Sequence, residues 1–292
     1  MKRQLDALGK HGLAAGEAGR PARADWTIDQ GYASYTAADH ATWQTLYERQ
    51  TRLLPGRACD EFLQGMQDLP IDATHIPDFR ELSEVLLPRT GWQVVAVPGL
   101  VPDEVFFDHL AHRRFPAGNF IRRPDQLDYL EEPDVFHDVF GHVPMLANPL
   151  VADYLQAYGE GGLRAQSLGT LAQLARVYWY TVEFGLLQQA DGLRLYGAGI
   201  ASSFTETVFA LDDPSPNRLR FDLRRVMRTC YRIDDFQETY FVIGDFDELL
   251  NLARIDFGPL YQQVTGQPEF DPGDVLATDT VLTHGTGHHH HR

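Results

Sequence analysis

The chain has 292 residues, with 41 Asp and Glu against 25 Lys and Arg, a formal charge of −16. Hydrophobic residues make up 43% and charged residues 23%, the balance of an ordinary globular protein able to bury a large core. A surface this negative repels phosphate backbones and anionic lipid, which argues against nucleic-acid or membrane-surface binding. No apolar run reaches the roughly 18 residues of a spanning helix. Two cysteines, Cys59 and Cys230, form no disulfide framework and read as reduced thiols of a cytoplasmic protein. The composition predicts a flexible arm over residues 1–25, one folded domain over 26–270 and a tail over 271–292 that contains the run His288 to His291.

In chain order, "TAADHATWQTLYERQTRLLPGRACDEFLQGMQ" (36–67) predicts two helices broken at "LPGR". "DFRELSEVLLPRTG" (78–91) predicts a helix stopped by Pro88 and Gly91, and "WQVVAVPG" a strand ended by Pro98-Gly99. "PDEVFFDHLAHRRF" opens with helix-start chemistry, and "NPLVADYLQAYGEGG" reads as an amphipathic helix ending at its glycines. "SLGTLAQLARVYWYTVEFGLLQQADG" (167–192) predicts the longest helix, with Leu171, Leu174, Tyr178, Thr181 and Gly185 on one stripe. "FDLRRVMRTCYRI" and "DFDELLNLARI" read as helical or mixed, and "TYFVIGDF" as a strand. The fold class is mostly α (α+β), without βαβ alternation. Gly197 and Gly199 give G-x-G alone, too little for a dinucleotide site.

The chemistry centres on "PDVFHDVFGHVP" (133–144), where His137 and His142 stand five residues apart. On an α-helix, positions i and i+5 diverge by roughly 140°, so these imidazoles act together only if the backbone departs from a plain helix. Gly141 permits such a distortion. A third residue, Glu183, lies on a strongly apolar segment with no Lys or Arg within a turn. Burying that carboxylate is costly unless a cation joins it. Two histidines and one carboxylate make the facial triad of non-haem Fe(II) oxygenases, and the same ligands also serve catalytic zinc. The residues alone leave three readings open: an iron oxygenase, a His2Glu zinc hydrolase, and two structural histidines without metal.

"PDVFHDVFGHVP", "VYWYTVEFGL" and "YGAGIASSF" together resemble the signature blocks of the tetrahydropterin-dependent aromatic amino acid hydroxylases. "TGWQVVAVPGLVPDEVFFDHLAHRRFPAGNFIR" resembles the family's pterin-binding segment, and "IPDFRELSEVLLPRTG" its upstream helix. The similarity runs from Tyr35 to Asp256.

The resemblance implies a single catalytic domain around an iron pocket, with His137, His142 and Glu183 as Fe(II) ligands. It implies tetrahydrobiopterin or another tetrahydropterin held by Gly99, Val101, Phe106, Asp138 and Tyr178. The substrate side is implied to be Arg122, Trp179, Ser202 and Val242, with Tyr178 and Ser202 also supporting the reaction at iron. Arg122 matches a carboxylate-gripping arginine, with Arg123 the neighbour most easily confused with it. Ser203 and Glu206 join the shell around Ser202, and Phe184 lines the pocket.

The implied reaction turns L-phenylalanine into L-tyrosine with O2, tryptophan hydroxylation being the alternative within the family. Asp138 departs from the glutamate of animal members, and Pro116 from a pocket histidine of some members. The short arm leaves no room for the animal regulatory domain. No terminal heptad supports a coiled-coil tetramer, so the expected state is a monomer.

Overall fold

The computed structural model describes residues 23–128, 132–233 and 235–287. Residues 1–22 of the expected arm and the histidine run 288–291 lie outside them. Helix α1, Ala37–Leu53, starts at a capping box in which the Thr36 hydroxyl and the Asp39 carboxylate satisfy each other's backbone amides. It buries Trp43 and Leu46. Helix α2 follows at Asp60–Asp68, and α3 at Phe79–Thr90. Pro88 sits inside the last turn of α3, and the helix ends at Gly91, which adopts a left-handed conformation (φ 76°). Strand β1, Gln93–Val97, pairs in parallel with β2, Arg114–Gly118, across helix α4, Asp103–Ala111.

Helix α5, Pro149–Leu168, is the longest and corrects the expected stop at its glycines. The chain stays helical through Gly159, Gly161 and Gly162 until Gly169 caps it. The reason is packing. A Cβ at Gly159 would sit 2.4 Å from the Ala111 nitrogen, and one at Gly162 would sit 2.1 Å from the Phe107 ring. These bare positions let α4 lie against α5, a contact that outweighs the propensity cost of glycine.

The long helix expected over 167–192 is also corrected. Helix α6 covers Leu171–Tyr178 and a π-helical turn covers Trp179–Glu183. The chain then turns extended as β3, Leu186–Gln189, which forms a hairpin with β4, Gly192–Leu195. Helix α7 is Phe204–Asp212, β5 is Asn217–Arg220 and β6 is Thr239–Ile243. Helices α8, Phe246–Ala253, and α9, Phe257–Val264, follow.

The expected tail boundary at residue 270 moves. Strand β7, Val281–Thr283, pairs antiparallel with β5 and closes a five-stranded sheet ordered β4-β3-β6-β5-β7. Asp279 reinforces this return with a buried ion pair to Arg225 at 3.1 Å. One continuous apolar core runs from Trp43 to Val264. Among the described residues, no helix is long and apolar enough to cross a membrane.

Candidate metal centre

Two π-helical turns build the centre. The first, Phe136–His142, answers the spacing problem: with i→i+5 hydrogen bonding, a residue five positions on returns to the same side. The His137 and His142 Nε2 atoms lie 3.3 Å apart. The second turn ends at Glu183, its backbone marked by the Phe184 amide donating to the Trp179 carbonyl at 2.8 Å. Glu183 Oε1 lies 3.2 Å from His142 Nε2, and Oε2 lies 3.6 Å from His137 Nε2. Metal–ligand bonds of about 2.1 Å place neighbouring donors roughly 3 to 3.4 Å apart, so one ion fits this triangle.

Glycines bring the two turns together. A Cβ at Gly141 would stand 2.9 Å from the Ala198 carbonyl, and one at Gly197 would stand 2.4 Å from the Glu183 carbonyl. Gly199 likewise faces the Phe184 ring at 2.9 Å. The G-x-G of "YGAGIASSF" therefore serves close packing against both ligand-bearing turns. The short helix Ala198–Ala201 in turn delivers Ser202 to the first imidazole. The Ser202 hydroxyl donates to the Ala198 carbonyl at 2.8 Å, which spends its only proton. The His137 Nδ1, 2.9 Å from that hydroxyl, must then be the donor. This fixes the tautomer with Nε2 unprotonated and free for a metal. Burial pushes the His137 pKa down to about 4, which keeps the imidazole neutral. Burial alone would raise the Glu183 carboxyl, but the facing imidazoles make the net shift downward.

Of the residues expected beside the pterin, Phe106 and Tyr178 form a ring series that reaches His142. The Phe106 ring meets Tyr178 edge-on at 5.8 Å, and Tyr178 lies nearly parallel to His142 at 6.4 Å. Gly99 and Val101 precede α4, which carries Phe106. At Gly99 (φ 157°), a Cβ would meet the Glu132 carboxylate at 2.6 Å. The same carboxylate accepts the Leu100 amide at 3.4 Å. Asp138 accepts the Gly118 amide at 2.7 Å, and burial raises its pKa to about 7.

Among the residues expected on the substrate side, Arg122 is buried and paired. Its Nε and Nη2 donate to the two oxygens of Asp134 at 2.8 Å each, and Nη1 donates to the Leu127 carbonyl at 3.3 Å. A guanidinium has five N–H donors, so two remain beyond these bonds. Arg123 is exposed and pairs with Asp125, which separates the two neighbouring arginines. The Trp179 ring stacks on Tyr231 at 4.3 Å and contacts Phe184 at 4.8 Å. Val242 is fully buried in β6 and pairs with Leu186, three residues beyond Glu183. Ser203 caps α7 by accepting the Glu206 amide at 3.2 Å. Pro116 is buried inside β2.

Three residues escaped the sequence reading. Asp134 is fully buried and joins Arg122 to the ligand turn, because Oδ1 also accepts the His137 amide at 3.0 Å. Its position three residues before His137 is a capping signature that could have exposed it. Glu132 and Gln237 carry no such local signal, because their partners are remote in sequence.

The matching family model, "Biopterin-dependent aromatic amino acid hydroxylase", covers residues 28–257. The chain is 63% identical over 265 residues to the phenylalanine-4-hydroxylase of Caulobacter vibrioides, covering 91% of this chain and 90% of that one. The phenylalanine hydroxylase of Chromobacterium violaceum, solved with iron(III) and oxidised 7,8-dihydrobiopterin, superimposes with a TM-score of 0.87 at 57% identity, over 90% of this chain and 95% of that one. An iron- and phenylalanine-bound structure of the same protein gives a TM-score of 0.87 at 54% identity, over 92% and 97%. The chain belongs to the biopterin-dependent aromatic amino acid hydroxylase family.

Proposed function

We infer that this chain hydroxylates L-phenylalanine to L-tyrosine, using O2 and a tetrahydropterin at a mononuclear non-haem iron. The observation that carries this reading is the His137–His142–Glu183 triangle, its ligand atoms all within 4.8 Å of one another. The high identity to phenylalanine-4-hydroxylases selects this reaction over tryptophan hydroxylation, and family membership selects iron over a hydrolytic zinc. When bound, Fe(II) with a reduced pterin supplies the activation of O2 that a closed-shell ring needs.

The chain's own residues then have separate tasks. His137, His142 and Glu183 hold the ion, and Ser202 keeps His137 in its ligating tautomer. Phe106 offers its ring face to a flat pterin, with Tyr178 standing edge-on to Phe106 and Gly99, Val101 and Asp138 at the pterin's edge. Arg122, preset by Asp134, takes the amino-acid carboxylate with its two remaining donors. Trp179 and Val242 shape the apolar space for the ring and exclude water. A cytoplasmic location goes with this reading, supported by two unpaired cysteines and bacterial relatives.

An amino-acid panel with oxygen uptake and product identification tests the reading. Tyrosine should form from phenylalanine only when iron, O2 and tetrahydropterin are all supplied. Turnover supported by zinc and indifferent to pterin would overturn it.

A further inference from the structure

Trp179 is held by more than apolar contact. Its indole Nε1 donates to Gln237 Oε1 at 2.9 Å. Gln237 is only 2% exposed, and each polar group of its side chain is committed. The amide Nε2 donates to the Arg232 carbonyl at 2.8 Å, so the side-chain oxygen can only face the indole. The backbone is pinned as well, the Gln237 amide meeting the Glu206 carboxyl at 3.5 Å. That carboxyl also accepts the Tyr240 hydroxyl. Tyr231 covers one indole face at an interplanar angle of 18°. One ring face and one ring edge are therefore fixed. Trp179 itself is half-buried and stands four residues before the iron ligand Glu183.

We propose that Gln237 is a positioning residue that sets ring selectivity by locking the plane of the Trp179 indole. The proposal rests on the reading that Trp179 walls the space taken by the substrate ring. A wall held by stacking alone can pivot about the stack normal. A hydrogen bond at Nε1 removes that rotation, and with it the adaptability that would admit a bulkier ring. Discrimination between aromatic substrates then depends on a residue that touches neither substrate nor iron.

The test is Gln237→Leu, which keeps the volume and removes the acceptor, measured alone and in a Trp179→Phe background. Loss of one neutral hydrogen bond corresponds to about a fivefold effect. Gln237→Leu should raise the phenylalanine KM about fivefold. It should also raise tryptophan turnover relative to phenylalanine, with the pterin KM and bound iron unchanged. In the Trp179→Phe background, the same substitution should change selectivity less than about twofold, because the donor it acts on is gone.

An unchanged selectivity in the single variant, or an equal effect in both backgrounds, overturns the proposal. If Gln237→Leu does not fold, hydrogen exchange at the Trp179 indole in the unaltered enzyme decides. A protected N–H supports the lock, and exchange at the rate of a free indole overturns it. A wild-type enzyme that makes no tyrosine would instead defeat the functional reading itself.

Discussion

Two charged clusters sit at either end of the residues 134–137, and they are built on opposite principles. Arg122 and Asp134 complete each other: the two opposite charges are matched inside the protein. The His137–His142–Glu183 triangle does not complete itself. Its three ligand atoms face one another at 3.2–3.6 Å, and no Lys or Arg is among them. Buried acceptors converging in this way are costly unless a cation joins them. The comparison separates a matched charge pair from a ligand set that lacks its counter-charge. Arg122 is set in advance and keeps spare donors, whereas the triangle depends on the ion for its own electrostatic balance.

The largest effect should come from breaking the incomplete cluster. Glu183→Gln removes the anionic ligand, and iron affinity should fall more than about 100-fold, with turnover lost and the far-ultraviolet dichroism unchanged. Metal content after dialysis reads this out, and wild-type retention would remove Glu183 from the ligand set. Breaking the complete cluster should instead cost stability. Asp134→Asn leaves the Arg122 charge buried and unmatched, a loss of about 3–5 kcal/mol. Thermal melting should show it as a drop of about 5–10 °C. An unchanged melt would mean that the pair is not a structural element.

Ser202→Ala lies between the clusters in kind. It frees the His137 tautomer, and iron affinity or turnover should fall about 10- to 100-fold without a comparable loss of stability. Equal metal affinity in the two proteins would contradict the tautomer argument.

The smallest effect concerns pH. Burial raises the Glu206 carboxyl to about 7 from its usual 4.5. Between those values the folded chain binds more protons at this site than the unfolded chain, so its contribution to stability declines as pH rises through that window. Glu206→Gln should therefore show a flatter stability profile than wild type between pH 4.5 and about 7, measured by denaturant unfolding. Parallel profiles would show that the carboxyl is not held protonated.

Much of the centre was legible in the sequence because its logic is local. A five-residue histidine interval with a glycine inside it meant that paired imidazoles required a departure from a plain α-helix, and the structure shows a π-turn there. An acid on an apolar segment without a basic neighbour pointed to a cation. What was not legible depended on distant contact. The glycines of α5 resemble a helix stop until Phe107 and Leu110 are seen against them. "LLQQ" continues a helical pattern by composition, yet pairing with β4 and β6 makes it a strand. Strand β7 lay in what read as a tail, because its partner Arg218–Leu219 is some 60 residues away. Gln237 could not be assigned from its own surroundings, since its indole partner lies on another element.

Anomalous scattering at the iron edge, from crystals of protein loaded with ferrous iron, probes the shared-ion claim most directly. The account predicts one peak, about 2.0–2.2 Å from His137 Nε2, His142 Nε2 and a Glu183 oxygen. A peak elsewhere in the molecule, or one that reaches only one of the three side chains, would contradict it.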